Sequence, residues 1–301
     1  MQKKVALVLS SGGARGLAHI GVIEEFEQRG YAISSVTGCS MGALIGGVYA
    51  AGKLPEFRDW MKTIDRRKMM DLTDFVISIN HLAKGTKIMD AIKTFVPDAD
   101  IAQLPIPYRA VATDWMNGQE VVFDSGSLFD AIRASISLPV FYEPVRTGNM
   151  ILIDGGVINP LPLNRAPRCD GDLLVGSDVS GHDYAAEYQL QARRAERRRN
   201  RKTLRQRMFN LLTPSKMSLN HYVLLSRASS LMIRQNSLLM IQLTQPDLIV
   251  DIQMSRYGSF DFDKSEKLIA LGHKKAAQAI DAFEKNGEGE ALHRVARAST
   301  P

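Results

Sequence analysis

The chain has 301 residues and only two cysteines, Cys39 and Cys169. That supply gives no disulfide framework and fits a reducing compartment, so a cytoplasmic protein is expected. No run of 18 apolar residues occurs, so no bilayer-spanning helix is expected. Lys3 and Lys4 precede only five apolar residues, Val5 to Leu9, too short a stretch for a secretory leader. No cluster of His, Cys, Asp and Glu has metal-ligand spacing, which predicts no metal and no cofactor. Histidine is scarce as well: His19, His81, His182, His221, His273 and His293. None occupies a turn after a late strand with an acid upstream, which argues against a Ser-His-Asp triad in α/β-hydrolase order. His19, on the first helix, reads as a capping or packing residue. No internal repeat is visible.

The most informative feature present is Gly38-Cys39-Ser40-Met41-Gly42. A β-branched strand, Ile33 to Thr37, precedes it, and an Ala/Leu/Ile helix, Ala43 to Ala51, follows. G-x-S-x-G between strand and helix is the arrangement that lifts a serine nucleophile out of a sheet. The turn is tight enough that the flanking residues must lack bulk, hence Gly38 and Gly42. The helix start then points free N–H groups at any anion formed beside Ser40. The central residue of such an elbow is the one presented, so Cys39 is expected to pack against the sheet.

The N-terminus adds a second element. Val5-Ala6-Leu7-Val8-Leu9 reads as a strand buried on both faces. It runs into Ser10-Ser11-Gly12-Gly13-Ala14-Arg15-Gly16 and then a helix, an anion cradle of converging N–H groups. A dinucleotide fingerprint fits poorly, because Ser11 stands at the first glycine and the next strand ends without an acid. The oxyanion of a tetrahedral acyl intermediate fits better, and one such donor is worth about 2.7–4 kcal/mol in a transition state.

A third element, Ile151-Leu152-Ile153-Asp154-Gly155-Gly156, is an apolar strand ending in a carboxylate. Asp-Gly-Gly alone is ordinary turn chemistry. Beside a serine lacking a histidine it supplies the missing base, and Asp154 is expected to take the Ser40 proton directly or through water.

Together and in this order, the three segments resemble the patatin-like phospholipase family of serine acyl hydrolases. The family's oxyanion loop G-G-G-x-R-G corresponds to Ser11-Gly12-Gly13-Ala14-Arg15-Gly16, with Ser11 as a departure. Its elbow corresponds to Gly38 through Gly42, and its D-G-[GA] to Asp154-Gly155-Gly156. Val111-Ala112-Thr113-Asp114 with Asn117-Gly118, Ala134 to Pro139, Asn159 to Leu163, Pro246 to Val250 and Asp261-Phe262 extend the likeness over about residues 3–285. The resemblance implies a three-layer α/β/α fold and a Ser40–Asp154 dyad. It also implies an oxyanion hole of backbone N–H groups, assigned here to Gly12, Gly13, Ala14 and Met41. Arg15 is expected to fix the loop, although attraction of an anionic headgroup stays open.

Strands are predicted at 4–10, 34–38, 108–113, 119–123, 150–154, 173–178 and 248–252. Helices are predicted at 15–29, 41–51, 55–64, 86–96, 127–135 and 263–285. This alternation gives an α/β fold with a mainly parallel sheet and helices on both faces. One domain over 1–301 is expected, with its core at about 3–180 and 246–285 and a basic helical insertion at about 185–245.

The insertion carries the charge. Residues 185–216 hold ten Lys/Arg against Glu187 and Glu196, whereas the whole chain is +6. A solvated surface insertion and a basic segment docking on anionic lipid through Arg193–Arg207 both stay open. Nucleic acid is disfavoured, because no aromatic lies among those arginines. Leu219 to Leu243 reads as a core-covering helix, with a lid or homo-oligomer contact as the alternative. The expectation is a cytoplasmic hydrolase of acyl-ester lipids, a phospholipase A, lysophospholipase or esterase. A regulatory or peripheral membrane-binding module with a little-used site is the alternative.

Overall fold

The computed structural model describes residues 3–72, 86–139, 141–181, 221–254 and 256–286. The segment Arg193–Arg207 lies outside them, as does most of the basic insertion. A mixed sheet of eight strands forms the centre: β1 (Lys4–Leu9), β2 (Ala32–Cys39), β3 (Tyr108–Asp114), β4 (Gln119–Phe123), β5 (Val145–Thr147), β6 (Met150–Asp154), β7 (Asp172–Asp178) and β8 (Leu248–Asp251). The order is β5-β6-β3-β2-β1-β7-β8, with β4 also on β3. The pairs from β3 through β2, β1 and β7 to β8 are parallel. The pairs β3–β4, β3–β6 and β5–β6 are antiparallel.

The helices are α1 (Ala18–Gln28), α2 (Met41–Ala50), α3 (Leu54–Lys62), α4 (Arg66–Leu72), α5 (Thr86–Lys93), α6 (Leu128–Ser135), α7 (His221–Thr244) and α8 (Ser265–Asn286). A turn of 3-10 helix, Gly13–Leu17, opens the first helical stretch, where a continuous α-helix from residue 15 was expected. Neither the three-residue β5 nor the short α4 stands out from the sequence.

Strand β1 shows why the sheet has two covered faces. Val5, Leu7 and Leu9 point into a large core with residues of α1, α2, α3, α5, α6 and α8. Ala6 and Val8 point the other way, into a smaller core with Leu161, Leu163 and Leu174, closed by Met240 and Ile241 of α7. The unbroken apolar run of β1 follows from this double burial. Among the described residues, no helix is long and apolar enough to cross a membrane.

One detail of the pairing positions the site. Strand β4 pairs with Ala110–Asp114 along one edge of β3. The other edge is therefore shared. It takes β2 as far as Cys39 opposite Val111, and then β6 from Asp154 opposite Ala112. Strands β2 and β6 approach head-on along that edge, and their carboxyl ends meet.

Candidate active site

The meeting point holds Ser40 and Asp154. The Ser40 Oγ donates to Asp154 Oδ2 at 2.6 Å, across 114 residues of sequence. Ser40 has φ 55° and ψ −121°, a strained backbone for a residue with a side chain, worth on the order of 1–3 kcal/mol. Two glycines permit it. A Cβ on Gly38 would lie 2.3 Å from the Gly42 carbonyl oxygen, and one on Gly42 would lie 2.2 Å from that of Leu9. The elbow is thus pressed against itself and against the end of β1.

Asp154 is buried, and its other carboxylate oxygen, Oδ1, accepts the Gly156 N–H at 2.7 Å. Burial pushes its pKa from 3.8 up to about 6, against the opposing pull of the Ser40 and Gly156 hydrogen bonds. A carboxylate so poised is a stronger base than an exposed one.

The glycine loop passes beside the elbow. Among the described residues, no acceptor is bonded by the N–H groups of Gly12, Gly13 or Met41. Gly13 has φ +56°, in the left-handed region, and a Cβ there would strike the Ser259 carbonyl oxygen at 2.6 Å. The expected fourth donor requires correction. The Ala14 N–H is committed to the Ser259 carbonyl at 2.8 Å, so it anchors the loop rather than facing an oxyanion. Arg15 Nε donates to the Gly12 carbonyl at 3.1 Å, the loop-fixing arrangement. Gly16 leaves room for Met41, whose Cγ would lie 2.5 Å from a Cβ there. Ser11 donates its N–H to the Pro160 carbonyl at 2.8 Å, which ties the loop to the segment after Asp154. Gly155 accepts the Asn159 N–H at 2.9 Å in that same segment.

His19 is fully buried beneath the loop. Its Nε2 lies 2.9 Å from the Ser10 carbonyl and its Nδ1 2.8 Å from Ser177 Oγ. A carbonyl can only accept, so Nε2 carries the proton and Nδ1 accepts from the Ser177 hydroxyl. Desolvation lowers its pKa from 6.5 to about 4, keeping the ring neutral. It is a structural support of the loop. Cys39 is also fully buried, and burial raises its thiol pKa well above 9, so it is no nucleophile.

The end of α6, which the resemblance places as a helix end and turn facing the elbow, touches both ends of the Ser40–Asp154 pair. Ser135 Oγ accepts the Ser40 N–H at 2.8 Å and donates to the Val111 carbonyl at 2.6 Å. Two residues on, the Ser137 carbonyl accepts the Asp154 N–H at 3.0 Å. Arg133 steadies this turn, donating to Ser137 Oγ and to the Glu143 carbonyl. The sequence reading named the segment Ala134–Pro139 but gave Ser135 no partner, because that partner is 95 residues away. Glu120 of β4 was missed too. It accepts from Asn159 Nδ2 at 2.8 Å and Arg165 Nε at 2.7 Å, fastening the loop beyond Asp154.

No group of His, Cys, Asp and Glu that could hold a metal occurs among the described residues. The arrangement brings a serine hydroxyl onto a carboxylate, beside N–H groups that bond no acceptor among the described residues.

Residues 7–167 match the family model described as patatin-like phospholipase. An uncharacterized NTE family protein of Mycobacterium tuberculosis is 45% identical over 180 residues, which are 60% of this chain and 50% of that protein. The chain therefore spans about half the length of that relative. Mouse patatin-like phospholipase domain-containing protein 6 is 32% identical over 187 residues, 60% of this chain and 14% of that protein. Among solved structures, VipD from Legionella pneumophila aligns at TM-score 0.47 and 14% identity, covering 94% of this chain and 67% of that one.

Proposed function

Since this chain belongs to the patatin-like phospholipase family, we propose that it hydrolyses carboxylic esters of lipids, with Ser40 as nucleophile and Asp154 as its base. The observation that carries the reading is the 2.6 Å hydrogen bond from Ser40 Oγ to Asp154 Oδ2 at the tip of the strained elbow.

In the proposed reaction Ser40 Oγ attacks the ester carbonyl carbon as its proton passes to Asp154. The carbonyl oxygen becomes an oxyanion facing the Gly12, Gly13 and Met41 N–H groups and the start of α2. The intermediate collapses, the bond to the alcohol oxygen breaks, and Asp154 returns its proton to that oxygen. An acyl ester on Ser40 remains. Water then gives a proton to Asp154 and attacks the same carbon. A second collapse breaks the bond to Ser40 Oγ, which recovers its proton from Asp154, and the fatty acid leaves.

With its pKa raised to about 6, Asp154 is still ionised at neutral pH and is a stronger base than an ordinary carboxylate. Activity is expected to rise through that region from the acid side. The test is hydrolysis of p-nitrophenyl acyl esters by the wild type, Ser40→Ala and Asp154→Asn. Both variants should lose at least a thousandfold in kcat while keeping native circular dichroism. An Asp154→Asn variant with most of its activity would overturn the dyad.

A further inference from the structure

Among the described residues, the large apolar side chains that stand out into solvent fall into two groups. Leu231, Met232, Leu239 and Leu243 lie on α7. The others, Trp115, Met116, Leu138, Val157, Ile158 and Phe260, lie in segments that border the Ser40–Asp154 pair. Trp115 and Met116 continue β3 beyond its carboxyl end, and Trp115 is three residues past Ala112, the residue opposite Asp154. At about 3.3 Å per residue it stands roughly 10 Å further along the strand than the carboxylate. Leu138 follows Ser137, whose carbonyl accepts the Asp154 N–H. Val157 and Ile158 come directly after the Asp-Gly-Gly turn. Phe260 follows Ser259, whose carbonyl anchors the glycine loop through Ala14. The Phe260 ring packs on Phe141 with centroids 4.5 Å apart, which joins the loop after α6 to the loop before α8.

Exposure on this rim contrasts with the pair inside it. Trp115 is 62% exposed, Met116 58% and Phe260 53%, against 8% for Ser40 and 3% for Asp154. Apolar side chains scattered singly over a surface are ordinary, but these gather around one recessed polar centre, the pattern of a contact surface. None of the six carries a charge, so the contact they offer is burial rather than ion pairing. Tryptophan is also the side chain best suited to a boundary between water and lipid, with its apolar body and polar N–H. A protein seated on the rim would cover Ser40, whereas a lipid layer would present esters to it.

We propose that this rim docks the protein on a lipid surface, with Trp115, Met116 and Phe260 entering the layer and the Ser40–Asp154 pair facing its ester groups. The choice of lipid as the occupant rests on the reading of Ser40 as the nucleophile of a lipid esterase. Docking of this kind depends on apolar burial, so it extends to uncharged, zwitterionic lipid and resists salt. Taking one large apolar side chain out of water is worth roughly 10- to 100-fold in binding.

The experiment measures co-sedimentation with phosphatidylcholine vesicles, at low and high salt, for the wild type, Trp115→Ser, Phe260→Ser and Leu243→Ser. The wild type should bind at both salt levels. Trp115→Ser and Phe260→Ser should each bind at least tenfold more weakly, and Leu243→Ser, altered on the exposed face of α7, should bind as the wild type does. Tryptophan emission of the wild type should shift to shorter wavelength when vesicles are added. The shift should be absent from Trp115→Ser, because the second tryptophan, Trp60, packs between Phe57 and Phe95. The ratio of vesicle-ester to p-nitrophenyl butyrate hydrolysis, taken within one preparation, should fall at least tenfold in both rim variants. A wild type that leaves the vesicles unbound, or rim variants that bind no worse than Leu243→Ser, overturns the docking surface. So does a dimeric wild type that Trp115→Ser renders monomeric, since a second copy then covers the rim. Binding that follows the expected pattern in a protein that hydrolyses neither ester upholds the rim and brings down the hydrolase reading.

Discussion

Asp154 meets two opposing demands. As the proposed base it must ionise, and as a buried group it resists ionisation. Its pKa of about 6 in the fold lies above its unfolded value of 3.8. The folded protein therefore holds the Asp154 proton more tightly than the unfolded chain does between these values. The resulting stability is full below about pH 4 and is lost as pH rises through about 6. Two units correspond to on the order of 2–3 kcal/mol. Replacing Asp154 by Asn removes the ionisation and keeps an acceptor for the Gly156 N–H. The Asn variant should then be more stable than the wild type at pH 8 and lose that margin by pH 4. His19 carries the opposite sign. Its pKa is depressed to about 4, so its contribution is present above 6.5 and is lost as pH falls. In the wild type the two trends offset each other between pH 6 and 4. The Asn variant should therefore show the steeper acid loss of melting temperature, measured by thermal unfolding across pH 4–8. Equal slopes would contradict the raised pKa of Asp154.

At the scale of elements, the site is a junction of three pieces: the elbow at the end of β2, the end of β6, and the end of α6. The carboxyl end of α6 fixes the other two, through Ser135 Oγ to the Ser40 N–H and the Ser137 carbonyl to the Asp154 N–H. Ser135→Ala would leave the Ser40 N–H buried and unbonded, at a cost of about 1–3 kcal/mol. It would also free the elbow to relax from its strained φ, misplacing the hydroxyl. Reaction of folded protein with a fluorophosphonate should slow by roughly 10- to 100-fold. Ile280→Val in α8, far along the chain, should cost about 0.5–1.5 kcal/mol and leave the labelling rate of the folded fraction unchanged. If both variants slow labelling alike, Ser135 serves stability alone. This junction also marks the limit of what the sequence discloses. The elbow, the glycine loop and the Asp-Gly-Gly turn are contiguous, so their residues stand out in the linear chain. The antiparallel run of β6 is not local, because it depends on which edge of β3 remains after β4 has paired. The removal of Ala14 from the donor set depends on Ser259, and the role of Ser135 on a partner 95 residues away.

For the whole molecule, helix α7 closes the smaller core, and its attachment is electrostatic as well as apolar. Asp178 and Asp251 end the parallel strands β7 and β8 opposite one another in register. Two carboxylates so placed would repel. Arg234 of α7 lies between them, with Nη1 2.6 Å from Asp178 Oδ2 and 3.5 Å from Asp251 Oδ1. Asp178 is fully buried, and its Oδ1 also accepts the Ser180 N–H at 2.8 Å. Burial raises the pKa of Asp251, with Arg234 pulling the other way. In the sequence Arg234 reads only as an interruption of an apolar helix. In the fold it is the bolt that holds that helix to the sheet. Removing one partner of a buried pair is costlier than never having had it, about 3–5 kcal/mol, because the remaining charge is stranded. Arg234→Met should lower the urea midpoint by that measure. Adding Asp178→Asn and Asp251→Asn to Arg234→Met should restore much of it, since neutral amides leave no stranded charge. The side chains Met240 and Ile241 reach the core through the same helix and pack against Leu161, Leu163 and Leu174. Loss of the bolt should therefore expose apolar surface beneath β1, the strand that delivers the glycine loop. Activity per folded molecule should accordingly fall along with stability in Arg234→Met and recover in the triple variant. A midpoint shift worth less than about 1 kcal/mol in Arg234→Met would show that apolar packing alone holds the helix.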